Sequence, residues 1–142
     1  ITDFQHFDVI FPNEKEARFA MGDQDSGVRQ LGTDLFRKSN AKYLILKLSE
    51  KGLMAFKDTA LDPRDFFPLE SFAEEIIDGV GSGDALLAGA TLAYAISKNI
   101  LVSSIIGNVA AAVACERSGN IPITIEEMSE KIKKIKHKAF LE

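Results

Sequence analysis

The chain has 142 residues, 46% of them hydrophobic and 27% charged, with a formal net charge of −4. That length suits about one domain, and the charged content excludes an integral membrane protein. The negative balance leaves no electrostatic footprint for nucleic acid. No stretch approaches the roughly 18 consecutive apolar residues of a spanning helix. A single cysteine, Cys115, excludes an internal disulfide and reads as a small buried residue of an apolar helix. His6 and His137 have no cysteine or carboxylate cluster near them at metal-ligand spacing, so no zinc site is expected. These signs suit a reducing cytoplasm. The chain opens on Ile1 and runs straight into a strand pattern, as a piece of a longer protein would.

Residues 7–11 read as a short buried strand ended by Pro12. Asn13 then opens a helix, with Glu16 three residues on and Gly22 at its end. Val28, Leu31, Leu35 and Phe36 are spaced for one face of a second helix over residues 26–38. Residues 43–48 form an apolar strand of the kind covered on both faces. A turn over residues 49–52 and a returning strand over residues 53–57 predict a hairpin. Residues 58–73 hold two prolines and are read as irregular or short edge structure. Residues 74–77 are expected to be a short strand leading into a glycine loop. A long helix follows over residues 82–98 and another over residues 102–117, stopped by Ser118-Gly119-Asn120. Thr124 with Glu127 has the spacing of a capping box and opens the last helix. Its lysines form a solvated face and a favourable last turn. Strands alternating with helices imply a layered α/β fold with a mainly parallel sheet. Ligands in such sheets sit beyond the carboxyl ends of the strands.

The segment Asp78-Gly79-Val80-Gly81-Ser82-Gly83-Asp84 places three glycines and a serine between two aspartates. Glycines let backbone N–H groups approach a ligand closely. A following helix adds free N–H groups and its partial positive end, together an anion pocket suited to phosphate. Asp84 then stands at the rim of that pocket, placed to accept a proton or help hold a metal. The loop lacks the lysine of a P-loop, and its glycine spacing is one residue short of a dinucleotide fingerprint. The alternative is a tight strand-to-helix turn with no ligand.

This segment resembles the C-terminal signature of the PfkB carbohydrate kinases, the ribokinase-like family, which typically reads Asp-Thr-x-Gly-Ala-Gly-Asp before a helix of small and apolar residues. The resemblance implies a ribokinase-like three-layer αβα sandwich. Residues 1–142 would be the C-terminal ATP-binding and catalytic part only, with the N-terminal substrate and lid part absent. It also implies transfer of the γ-phosphate of ATP to a hydroxyl of a sugar or related small alcohol. Fructose phosphates, ribose, heptose phosphates, nucleosides and vitamin alcohols are all acceptors across the superfamily. By the same resemblance Asp84 matches the catalytic base, and Gly81, Ser82 and Gly83 match the anion hole. Gly79 stands for the usual threonine and Ser82 for the usual alanine. Asp78 matches the aspartate that helps coordinate a monovalent cation in some members, which brings K⁺ into consideration.

Asn13 and Glu16 resemble the family's Asn-x-x-Glu motif near Mg²⁺ and the phosphates, and the same spacing is a capping box. Lys47, Ser49 and Gly52 fall where the family has Thr-x-Gly-x-x-Gly beside the nucleotide, with Lys47 and Ser49 departing from it; a plain hairpin turn explains them equally. Asn108 resembles the asparagine by the adenine pocket, or is a helix-packing asparagine. Gly119, in the turn that ends the same helix, is counted with these cofactor-binding residues. ATP and Mg²⁺ are the expected cofactors and a small sugar or alcohol the partner, with neither nucleic acid nor membrane. A homodimer is compatible with the full-length protein. Two other readings stay open: an adenine-nucleotide-binding module that does no chemistry in this form, and, further off, a dinucleotide-dependent oxidoreductase.

Overall fold

A computed structural model describes residues 1, 6–57 and 65–140, which fall into two compact units, Ile1–Glu70 and Ser71–Glu142. The part of the expected irregular stretch over residues 58–64 lies outside the described residues.

The first unit holds β1 (Val9–Ile10), α1 (Glu14–Met21), α2 (Val28–Ser39), β2 (Tyr43–Lys47), β3 (Leu53–Phe56) and β4 (Phe66–Leu69). The strands lie in one sheet in the order β1-β2-β3-β4. Its core is one cluster in which Leu44 and Leu46 of β2 and Phe56 of β3 meet Ala17 of α1 and Leu31, Leu35 and Phe36 of α2. Ile45, on the opposite face of β2, is fully buried as well. The uninterrupted apolar run of β2 thus reflects burial on both faces.

The described sheet is mixed rather than mainly parallel. Only β1 and β2 pair in parallel; β2–β3 and β3–β4 are antiparallel. Connection length dictates this. Residues 48–52 are too few for the dozen or more that a parallel crossover needs, so β3 must double back. Pro68 faces Met54 from the outermost strand, where a residue without N–H costs no ladder bond. β1 is shorter than the expected strand over residues 7–11, and Phe7 is exposed.

The second unit consists of α3 (Ser82–Ser97), α4 (Ile100–Cys115) and α5 (Ile125–Ala139). Lys98, in the left-handed conformation, ends α3, and the Asn99 side chain accepts the N–H groups of Leu101 and Val102 to start α4. The cap moves the start of α4 ahead of the expected Val102. So short a connection folds α3 and α4 into a helical hairpin. Gly107 lets them pack closely, since a β-carbon there would lie 2.8 Å from Cβ of Ala90 and 3.0 Å from the Leu86 carbonyl oxygen. Across the same seam Ser103 Oγ donates to the Ala90 carbonyl at 2.7 Å. Thr124 and Glu127 form the expected capping box of α5. Among the described residues, no helix is long and apolar enough to cross a membrane.

Residues 74–77 do not form the expected strand. Ile76 and Ile77 are exposed, and the segment is held by side chain and carbonyl instead of a sheet ladder. Glu74 N–H donates to Glu116 Oε1 at 2.7 Å, while Ile77 and Asp78 N–H both donate to the Cys115 carbonyl, at 2.8 and 3.1 Å.

Candidate active site

Asp78 opens the glycine loop of the second unit. Its Oδ1 accepts the Val80 N–H at 2.9 Å, an Asx turn that reverses the chain. Its Oδ2 accepts the Gly119 N–H at 3.1 Å, from the turn after α4. These two backbone donors, Val80 first, hold the Asp78 carboxyl below the ordinary aspartate range, because they stabilise its ionised form.

Gly81 is the N-cap of α3 at φ +80°, a left-handed conformation that L side chains rarely adopt. The position is also crowded: an added β-carbon would overlap the side chain of Asn120. Both conditions select glycine. Ser82 closes back on the loop, its N–H and Oγ both donating to the Gly79 carbonyl, at 3.3 and 2.8 Å. The first bond of α3 runs from Ala85 N–H to the Gly81 carbonyl at 2.9 Å. Among the described residues, the N–H groups of Gly81, Gly83 and Asp84 meet no acceptor outside the helix. Of the three residues expected to form the anion hole, Gly81 and Gly83 keep their amides available, and the Ser82 amide is engaged locally.

Asp84 stands in the first turn of α3, exposed, with no hydrogen bond or ion pair to any described residue. The positive helix end beside it favours an anion there. The arrangement is chemically legible: N–H donors and a helix terminus for an oxyanion, and next to them a solvent-facing carboxylate that can take a proton.

The first unit carries five more of the expected residues. Asn13 and Glu16 form a reciprocal capping box: Glu16 N–H donates to Asn13 Oδ1 and Asn13 N–H to Glu16 Oε2, each at 2.8 Å. The capping reading is therefore realised, with Glu16 Oε1 left outside it. Asn13 bridges Lys47 in parallel, and Lys47 N–H donates to the Pro12 carbonyl at 2.9 Å. Residues 49–51 form a single 3₁₀ turn closed by Leu48 N–H to Gly52 O at 2.8 Å and Gly52 N–H to Ser49 O at 3.0 Å. Asn13, Glu16, Lys47, Ser49 and Gly52 thus gather where β1 and β2 end. No group of three or more histidine, cysteine or acidic side chains could hold a metal among the described residues.

Asn108 is 2% exposed, in the middle of α4. It lies seven positions before Cys115, about 10 Å along the axis. Cys115 is buried as expected, and burial pushes its thiol upward.

The sequence reading missed the end of α4. Glu116 Oε1 accepts both the Glu74 N–H and Lys131 Nζ, the latter at 2.5 Å with the lysine 5% exposed. Arg117 donates to Glu127 Oε1 at 2.6 Å and to the carbonyls of Ile121 and Pro122 at 2.8 and 3.0 Å. A charged pair after an apolar helix, Glu116-Arg117, is its one local signal.

Residues 2–127 match the pfkB family carbohydrate kinase description. The chain is 30% identical over 135 residues to a protein named Bifunctional protein HldE from a Nitratiruptor species, a match covering 91% of this chain and 28% of that one. It is 32% identical over 136 residues to the HldE of Campylobacter curvus, covering 91% and 27%. The chain therefore spans under a third of the length of these relatives. Among solved structures, ribokinase from Thermotoga maritima matches with a TM-score of 0.74 and 25% identity, over 89% of this chain and 42% of that one. Phosphofructokinase-2 from Escherichia coli in complex with potassium matches with a TM-score of 0.80 over 95% of this chain and 43% of its own, at 16% identity, a likeness of fold alone. Together these likenesses establish the ribokinase-like α/β fold. With the match to the family extending over residues 2–127, the chain belongs to the pfkB family of carbohydrate kinases.

Proposed function

We propose that this chain is the C-terminal, nucleotide-binding and catalytic part of a kinase that transfers the γ-phosphoryl group of ATP to a hydroxyl of a sugar or related small alcohol. The observation that carries this reading is the pairing, on one helix start, of a carboxylate, Asp84, with the N–H groups of Gly81 and Gly83, all unengaged among the described residues. Phosphoryl transfer asks for in-line placement, neutralisation of charge and a route for the proton. The Gly81 and Gly83 amides and the α3 terminus would face the phosphoryl oxygens as charge shifts toward the leaving group. Asp84 would accept the proton of the attacking hydroxyl.

Mg²⁺ fits the residues present in a limited way. It is commonly held by one or two carboxylates, water and the substrate phosphates. Glu16 keeps one oxygen outside its capping box, and Asn13 lies beside it, so these two would hold it. Bound there, the ion would neutralise phosphate charge. Lys47, Ser49 and Gly52 are the nucleotide-binding candidates of the first unit, and Asn108 and Gly119 those of the second. K⁺ enters only as an accessory, because a cation at Asp78 would compete with two N–H donors. On this reading the donor-binding residues and Asp84 lie on this chain, and acceptor binding and any dimer contact would be properties of a longer protein.

The chain's span of 28% of a relative's length favours one second reading, nucleotide binding without transfer by this chain alone. The test is phosphorylation of a panel of sugars and nucleosides by the full-length protein and by the 142-residue chain, with ATP–Mg²⁺ titration of both. Transfer by the longer protein and binding alone by the shorter fit the proposal. Binding of NAD in preference to ATP would overturn it.

A further inference from the structure

We infer that Asp78 is a positioning residue: its carboxylate clasps the glycine loop to the turn after α4 and so fixes where the Gly81 and Gly83 amides point. The inference rests on the phosphate-loop reading for its purpose, and on hydrogen bonds alone for its geometry. One oxygen holds the Val80 N–H inside the loop at 2.9 Å, and the other holds the Gly119 N–H, 41 residues away, at 3.1 Å. The Asp78 N–H is itself tied to the Cys115 carbonyl at 3.1 Å. One residue thus joins the approach to the loop, the loop and the end of α4.

The far side of the clasp is anchored. Arg117 holds the carbonyls of Ile121 and Pro122 and the Glu127 carboxylate, so the turn carrying Gly119 is fixed on both flanks. With that turn held, Asn120 rests against Gly81 and leaves no room for a side chain there. The backbone angle of Gly81 sets the direction of the α3 terminus, so contact at Asn120 and the clasp at Gly119 act on one aim.

This assignment differs from the role of cation ligand that the sequence resemblance implies. A cation needs oxygen donors turned toward it. The Asp78 carboxylate instead receives the positive ends of two N–H dipoles, which stabilise its ionised form and turn both oxygens toward the backbone.

Amide hydrogen exchange read residue by residue by NMR on the whole chain tests the clasp. In Asp78→Ala, exchange at Val80 and Gly119 should accelerate roughly tenfold or more, as expected for loss of hydrogen bonds to a charged acceptor. The Ser103 amide, within the α3–α4 hairpin, should keep its rate, which separates a local release from unfolding. Asp78→Asn keeps one acceptor oxygen, so one of the two amides should stay protected. Replacing tetramethylammonium chloride with potassium chloride at equal ionic strength should change neither amide. Unchanged exchange in Asp78→Ala, or protection that arises only in potassium, overturns the clasp. ATP–Mg²⁺ affinity should fall in Asp78→Ala in step with the lost protection; unaltered affinity with both amides released overturns the positioning role. A wild-type chain that protects both amides yet binds no ATP contradicts the nucleotide reading instead, so the two failures are told apart.

Discussion

Lys131 Nζ lies 2.5 Å from Glu116 Oε1, and the same carboxylate oxygen accepts the Glu74 N–H at 2.7 Å. A nearly buried lysine on α5 is therefore neutralised by a side chain that also steadies the approach to the glycine loop.

Removing the acid alone leaves that lysine without its partner. Glu116→Ala should destabilise the chain by roughly 2 kcal/mol, the scale of a hydrogen bond to a charged group. Lys133→Ala, which breaks an exposed pair with Glu130, should cost well under about 1 kcal/mol. Urea denaturation of both variants makes the comparison. Equal losses would show that the buried pair has no special weight.

Gly81→Ala should cost about 1–2 kcal/mol for the left-handed backbone, plus the overlap with Asn120. Asn120→Ala in the same chain relieves only the overlap. The double variant should therefore recover part of the stability and not all of it, a coupling that a denaturation cycle measures. Full recovery would mean that backbone conformation at Gly81 does not matter.

Asp84→Asn should fold as the parent does, since the side chain is exposed and has no partner among the described residues. In the full-length protein it should lower kcat by roughly 10²–10⁴, the range for a lost general base, with little change in ATP affinity. Near-normal turnover would remove Asp84 from the chemistry.

Glu127 is held below the ordinary glutamate range by the Thr124 N–H foremost, with Arg117 adding to it. A depressed folded-state value contributes stability that is present above the unfolded value and is lost as pH falls through the folded one. Asp78 and Asp23, lowered by backbone donors, act in the same direction. Acidification below pH of about 4.5 should therefore weaken the chain, and Glu127→Gln should flatten its share of that slope. Thermal midpoints across an acid pH series read the difference; an unchanged slope in the variant would contradict the assignment.

Local signals were legible in the sequence. Asn13 with Glu16 and Thr124 with Glu127 sit three residues apart, and both capping boxes form. The turn before α3 and the burial of Cys115 follow from short-range composition. Sheet polarity was less legible, because helix alternation argues for parallel strands while the short link between β2 and β3 decides otherwise. The strand expected over residues 74–77 fails because two glutamates followed by two isoleucines lack strand alternation and carry no information about a neighbour to pair with. The clasp was invisible for a related reason. Asp78 and Gly119 are 41 residues apart, Glu74 and Glu116 are 42 apart, and nothing in either neighbourhood announces the other.

The seam of α3 and α4 has a kinetic consequence. It is built from glycine, alanine and serine, which surrender little rotamer freedom on packing, and its two helices are joined by Lys98 and Asn99 alone. Contacts so close in sequence need little loop closure and form early, whereas a sheet that joins β1 to β2 across two helices waits for a longer search. During refolding the helical hairpin that bears the glycine loop should gain exchange protection before the β1–β2 ladder, an order that pulse labelling of the amides can time.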